Sequence, residues 1–289
     1  MRWTILPLLA LIGCSTAPHQ PGERALELIC VRVDAPPVLD GSAGDDAWSK
    51  ATPLTVASKD VLNRHGGAEV KVTLRAVRSA TQLYLLAQWE DATKDDAEHK
   101  PWVWDKMTNL YAEGPEREDM FAVGFEHRGE FTADMLAPIE GSWDVWQWKV
   151  TRTNPQGYAM DRLHVYSRSQ PPGKAKEHKA RDGKPLWISR AEDAGKTVEG
   201  KVPAPKEFRG DRVSQYVNSI PEGSAADVRA KGSWSNGEWT LELGRALRTG
   251  HDDDTPFDTA KSYRMAISTH DRTGDMDRAS GVILLGFGK

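Results

Sequence analysis

The chain of 289 residues carries 38 Lys and Arg against 42 Asp and Glu, a formal net charge of −4, with 39% hydrophobic and 28% charged residues. That balance excludes a wholly disordered, collagenous or polytopic membrane protein, and near-neutrality argues against a chain whose main task is coating nucleic acid. The length allows one large sandwich or two smaller domains. Its 11 Trp suit either a deep core or a surface that stacks on a flat ligand.

At the start, Arg2 precedes an apolar stretch, residues 5–12, that is too short to span a bilayer. It ends in Leu11-Ile12-Gly13-Cys14, which resembles a bacterial lipobox; an ordinary signal peptide with a chance Cys is the alternative. The resemblance implies removal of residues 1–13 and lipidation of Cys14. Ser15 resembles the outer-membrane default, so the expected location is extracytoplasmic, lipid-anchored and facing the periplasm. Residues 14–27 then form a polar tether and 28–289 a single domain. Cys30 is left alone, which rules out an internal disulfide. The absence of Cys-x-x-Cys-His excludes covalent c-type haem attachment, and no Cys/His zinc cluster is present.

Downstream, short alternating or β-branched runs predict strands at 28–33, 70–77, 82–89, 120–125, 145–152, 162–167, 228–234, 238–243, 262–269 and 281–287. Ser235-Asn236-Gly237 reads as a hairpin turn. No long 3.6-residue periodicity stands out, and 246–250 is expected to make a single helical turn. The fold class is therefore all-β, an antiparallel sandwich or barrel. Residues 170–212, with Pro171, Pro172, Pro185, Pro203 and Pro205 among many Lys and Arg, are expected outside the sheets as a long loop insertion. That insertion is either a solvated loop or a basic lid.

Several pieces resemble known families. Val38-Leu39-Asp40-Gly41 with Asp45-Asp46-Ala47-Trp48, and Leu83-Tyr84-Leu85-Leu86-Ala87-Gln88-Trp89-Glu90-Asp91, resemble the DOMON-like and family 9 carbohydrate-binding sandwiches. Trp143-Asp144-Val145-Trp146-Gln147-Trp148-Lys149, followed by Asn154-Pro155-Gln156-Gly157-Tyr158-Ala159-Met160-Asp161, resembles the central signature of the ethylbenzene-dehydrogenase-type haem-binding domain. Glu238-Trp239-Thr240-Leu241-Glu242-Leu243 with Arg245-Ala246-Leu247, and the closing strands from Tyr263, resemble its later part. This resemblance implies an immunoglobulin-like or DOMON-like β-sandwich with one non-covalent haem b. It also implies one-electron transfer with a redox partner protein, as in the haem subunits of molybdenum dehydrogenases.

The resemblance further implies iron ligands from two regions, the loop before the Asp-x-Trp-x-Trp signature and the turn before the final strand. The first offers Met135; the second offers His270 and Met276, with Arg278 the nearest cation where some relatives carry Lys. Each has an ordinary reading too: Met135 as packing, His270 as a strand cap. Trp146 and Trp148 share a strand face, with Lys149 on the other. Trp146 either flanks a porphyrin edge or fills the core. Arg152 and Arg162 are either propionate partners or solvated, and His127 and His164 read as surface histidines. The haem is expected in a greasy cleft between the two sheets.

A rival reading is a sugar-binding module without haem, because Trp102 and Trp104 look like an exposed aromatic pair on a loop. A hydrolase is disfavoured, since neither Gly-x-Ser-x-Gly nor His-Glu-x-x-His occurs. Asp252-Asp253-Asp254 reads as a solvated acidic turn, resembling a calcium loop only loosely. The expectation is a binding or electron-transfer protein rather than an enzyme by itself. It would touch the membrane only through its lipid and bind no nucleic acid.

Overall fold

The computed structural model describes residues 26–61, 67–273 and 278–288. Cys14 and Met276, and with them the expected leader and one expected ligand, lie outside the described residues.

The strand β1 (Leu26–Arg32) begins two residues inside the segment expected as tether and is followed by a short helix, Asp46–Lys50. A meander follows: β2 (Leu54–Lys59), β3 (Glu69–Arg78) and β4 (Gln82–Glu90). The hairpin β5 (Trp102–Asp105) and β6 (Leu110–Glu113) stands apart from it. Next come β7 (Met120–Gly129), β8 (Gly141–Lys149) and β9 (Met160–Ser167). The Pro-rich stretch holds β10 (Lys176–Lys179), β11 (Pro185–Glu192), β12 (Gly195–Lys196) and β13 (Glu199–Lys201). Three more short strands follow, β14 (Arg212–Val213), β15 (Tyr216–Asn218) and β16 (Glu222–Gly223). The chain closes with β17 (Arg229–Ser235), β18 (Glu238–Ala246), β19 (Tyr263–His270), β20 (Arg278–Ala279) and β21 (Ile283–Phe287). Among the described residues no helix is long and apolar enough to cross a membrane.

Hydrogen bonds order the main sheet β10-β11-β9-β8-β7-β19-β20-β2-β3-β4-β18-β17. β1 lies parallel to both β21 and β3, and β21 returns to β19, so the structure also closes on itself there. The all-β antiparallel sandwich expected from the sequence is the observed architecture. Its two layers meet through aromatic rings: Trp89 of β4 stacks on Phe121 of β7 at 5.2 Å, and Trp148 of β8 meets Trp239 of β18 edge-on at 5.0 Å. Burying such rings removes the largest apolar areas a chain has from water, which makes this contact the main cohesive element of the sandwich.

The Pro-rich excursion departs from expectation. Instead of lying outside the sheets, it extends the main sheet: Trp187–Glu192 pairs antiparallel with Arg162–Ser167 of β9. Proline punctuates without preventing this, because Pro185 is the first residue of β11, where no ladder hydrogen bond is lost. Leu186 and Ile188 alternate toward a second apolar cluster with Trp143, Tyr166 and Phe131. Ala246 ends β18 and residues 247–250 are irregular, with bends at 247 and 250, rather than the helical turn expected over 246–250; β8 ends at Lys149, short of the predicted 152.

Candidate functional site

Strand alternation builds the site. In β8 the residues Asp144, Trp146 and Trp148 point into the sandwich, so Trp143, Val145, Gln147 and Lys149 point outward. The outward face is covered rather than solvated. Together with Ala122 and Gly124 of β7, Arg162, His164 and Tyr166 of β9, and His270 of β19, these residues line a cavity of about 920 Å³. Loop residues Phe131 and Met135 form one wall, and Glu199 from the Pro-rich region with Tyr216 of β15 just beyond it form another. The excursion therefore behaves as a cover. The cavity lies on the outer face of one sheet, not in the expected cleft between the two, because the inter-sheet space is filled by tryptophans.

One part of the lining is apolar. Trp143 packs against Tyr166 at 4.0 Å and Phe131 at 5.0 Å, and Met135 packs on the same cluster. Small side chains at Ala122 and Gly124 leave the floor flat. Another part is cationic. Lys149 Nζ donates to Glu199 Oε1 at 2.7 Å, and Arg152 Nη1 donates to the same oxygen at 3.1 Å. Arg152 Nε donates to Glu118, and its guanidinium lies 4.6 Å from the Tyr216 ring centre. Lys149 is 3% exposed, and burial pulls its ammonium down to about 7, against the opposing pull of Glu199. Lys100, Arg117, Arg162, Arg190, Lys201 and Arg272 also line the cavity, while Glu192 and Glu199 are its acids. An excess of cations in a partly closed space favours an anionic guest.

Two histidines, His164 and His99, are held towards the neutral form. Burial, then Arg190 and Arg162, hold His164 well below the usual imidazole range; burial, then Arg152, holds His99 near 3. Among the described residues neither ring nitrogen of His164 has a hydrogen-bond partner. His270 Nε2 sits 3.1 Å from Ser268 Oγ.

Met135, His270, Arg152 and Arg162 thus share one cavity although they lie far apart in the chain. Arg278 does not line it; it borders a smaller cavity of about 110 Å³ that His270 also touches. Trp146 faces the other way, fully buried beside Phe125 at 4.8 Å and under Arg245, so it fills the core and flanks nothing in the cavity. His164, expected on the surface, faces the cavity. Trp102 and Trp104 are on β5 rather than on an exposed loop. Both are half-buried, with Trp104 edge-on to Tyr111 and Phe208 at 4.9 and 5.3 Å. Sequence reasoning missed Trp143, Tyr166, His164 and Lys149. The only available signal was that both phases of β8 carry bulky residues, as in a strand buried on both faces.

No curated protein matches the chain. Among solved structures it is similar to a family 9 carbohydrate-binding module from Caldicellulosiruptor kristjanssonii in complex with glucose, with 10% identity, 89% of this chain and 94% of that chain covered, and a TM-score of 0.40. The same organism's family 9 module in complex with cellotriose gives 10% identity, 91% and 95% coverage, and 0.40. The family model described as ethylbenzene dehydrogenase matches residues 45–280, and the chain belongs to that family.

Proposed function

We propose that the outer-face cavity holds one haem b and that the protein carries single electrons between a redox partner and the membrane-proximal side of the cell envelope. The observation that carries this reading is that Met135, from the β7–β8 connection, and His270, at the end of β19, line the same cavity. At about 920 Å³ that cavity sits at the large end of the roughly 300–1,000 Å³ of small-molecule pockets. Its chemistry fits the group: a flat apolar floor for the ring, soft sulfur and imidazole for iron, and cations for the propionates.

When bound, haem b supplies a one-electron Fe(III)/Fe(II) couple. Met135 offers a thioether, which favours the reduced metal, and His270 offers an imidazole; His164 is the competing imidazole. Arg152, Arg162 and Lys149 hold carboxylates in place by charge-assisted hydrogen bonds. Phe131, Trp143 and Tyr166 exclude water from the ring. Nothing in this set calls for a reaction performed by the chain itself, so its role is that of a binding and electron-transfer component. Lipidation at Cys14 would tether it to the outer membrane. Sugar stacking needs an open ring face, and neither Trp102 nor Trp104 is exposed.

The test is an absorption spectrum of protein produced with ample haem, oxidised and then reduced with dithionite. A Soret band that sharpens on reduction is expected, and a colourless folded protein would overturn the reading. Met135→Ala, His270→Ala and His164→Ala, compared side by side, assign the ligands; the ligand variants change the reduced spectrum and the non-ligand leaves it as it was.

A further inference from the structure

Opposite the cavity, on the inner face of the same strands, lies a second feature that the haem reading does not use. Asp144 of β8, Asp161 of β9, Asp193 just past β11 and Asp254 of the β18–β19 connection are 0%, 3%, 5% and 2% exposed. The acidic run 252–254 is thus not the solvated turn expected, since its last member is buried. Among the described residues Arg245 is the guanidinium bonded into the group: its Nη1 donates to Asp144 Oδ2 at 2.6 Å and Asp254 Oδ1 at 2.7 Å, and its Nη2 to Thr255 O at 2.6 Å.

That leaves a specific set of oxygens short of donors. Among the described residues, both oxygens of Asp161, both of Asp193, Asp144 Oδ1 and Asp254 Oδ2 are buried without a well-aligned hydrogen-bond donor, although Asp193 lies against Asp161 and Asp254 against Thr249. A buried carboxylate without a partner is among the costliest groups a fold can contain. Here several converge. Ligand oxygens of Asp144, Asp161 and Asp254 lie within 4.8 Å of one another, as do those of Asp193, Asp253 and Asp254, and Asp254 belongs to both sets. Two oxygens at about 2.4 Å from a shared calcium ion stand at most about 4.8 Å apart.

We propose that Asp144, Asp161, Asp193 and Asp254, with Asp253 at the rim, form a binding site for a calcium ion. The donor set is all oxygen. The nearest imidazole, His251, is engaged with Asp227 at 2.6 Å and stands 3.9 Å from Asp254 Oδ2. Hard carboxylate donors select calcium or magnesium over zinc or copper. Many protein oxygens with little room for retained water favour calcium, because magnesium keeps most of its hydration shell. The ion would tie β8, β9 and the end of β11, already neighbours in the main sheet, to the β18–β19 connection. Without it, burial and then neighbouring carboxylates push Asp193 and Asp254 up to about 7, so the cluster retains protons instead.

The experiment is metal analysis of the full protein as purified, followed by thermal denaturation after EGTA treatment and after adding calcium chloride or magnesium chloride. About one calcium per chain and a melting temperature raised by calcium are expected. Asp161→Asn and Asp193→Asn are expected to lose that calcium response while melting no lower than the wild type in EGTA, since each replaces a buried carboxyl by a neutral amide of the same size. A wild-type protein that is folded by circular dichroism, free of calcium and indifferent to added calcium would overturn the site. An equal response to magnesium would overturn the choice of ion. If a variant fails to fold, the wild-type metal content decides, and it does so whether or not the protein is coloured.

Discussion

Trp48 donates its indole N–H to Glu242 Oε1 at 2.8 Å, joining the short helix near the start of the chain to the middle of β18. Through Oε2 the same carboxylate accepts the backbone N–H groups of Asp40 at 2.9 Å and Gly41 at 2.8 Å. Glu242 is fully buried, so these donors are its replacement for water. The opening Asp-Gly and Asp-Ala-Trp pieces of the sequence are therefore held by the Leu-Glu-Leu piece of a distant strand. Glu242→Ala should lower stability by about 3 kcal/mol, because it orphans several buried donors at once. Urea denaturation would measure this, and a loss below about 1 kcal/mol would mean that water takes over the carboxylate's role.

Gly232 of β17 lies against the Trp148 ring. A Cβ there would come within 2.5 Å of Trp148 Cζ2. The ring has no room to yield: its Nε1 donates to Asn154 Oδ1 at 3.0 Å, and Asn154 in turn bonds the backbone of Gly232 on both sides. Gly232→Ala should cost about 2 kcal/mol by overpacking, read as a lower urea midpoint with an unchanged slope. A melting curve like that of the wild type would show that β17 shifts freely.

His99 carries a pH signature. It is held near 3 in the fold, chiefly by burial and then by Arg152, against an ordinary value of 6.5. Between those values the folded chain keeps it neutral while the unfolded chain protonates it, so the unfolded state binds more protons and stability falls as pH drops through that window. By about pH 5 this term reaches about 2 kcal/mol. His99→Gln, neutral in both states, should lose less stability than the wild type between about pH 7 and about pH 5. Parallel losses would mean that the ring is charged in the fold.

Gly124 forms part of the cavity floor, and a Cβ added there meets only Val145 Cγ2, at an ordinary 3.6 Å. Gly124→Leu should fold normally yet fill the floor, reducing haem uptake by about tenfold or more in a titration followed by absorbance. Full uptake by the folded variant would move the haem away from this cavity.

The strand positions were legible because apolar alternation survives in a sandwich, and each predicted strand is present. What alternation does not carry is direction. Trp143 and Trp146 are both buried, and with large residues in both phases of β8 the sequence does not say which faces the core and which faces a ligand. Lys149 and Arg162 look solvent-bound in the sequence, yet they line an enclosed space with Glu199. Met135 and His270 were singled out through family resemblance alone, and what the structure adds is that they line one cavity. Pro185 disguised a sheet strand by standing at its first residue. The burial of Asp254 was hidden because Arg245, its counter-charge, lies nine positions earlier on a different element.

Asp161 and Arg162 are consecutive, yet one turns toward the carboxylate cluster and the other toward the cavity. A single pleat of β9 is thus a septum with carboxyl groups on one side and guanidinium and ammonium groups on the other. Any charge gained or lost behind that partition changes the electrostatic potential in front of it across a few ångströms of dry protein, where screening by salt is weak. Whatever occupies the carboxylate side therefore tunes how strongly the cavity attracts an anion, with no side chain having to move.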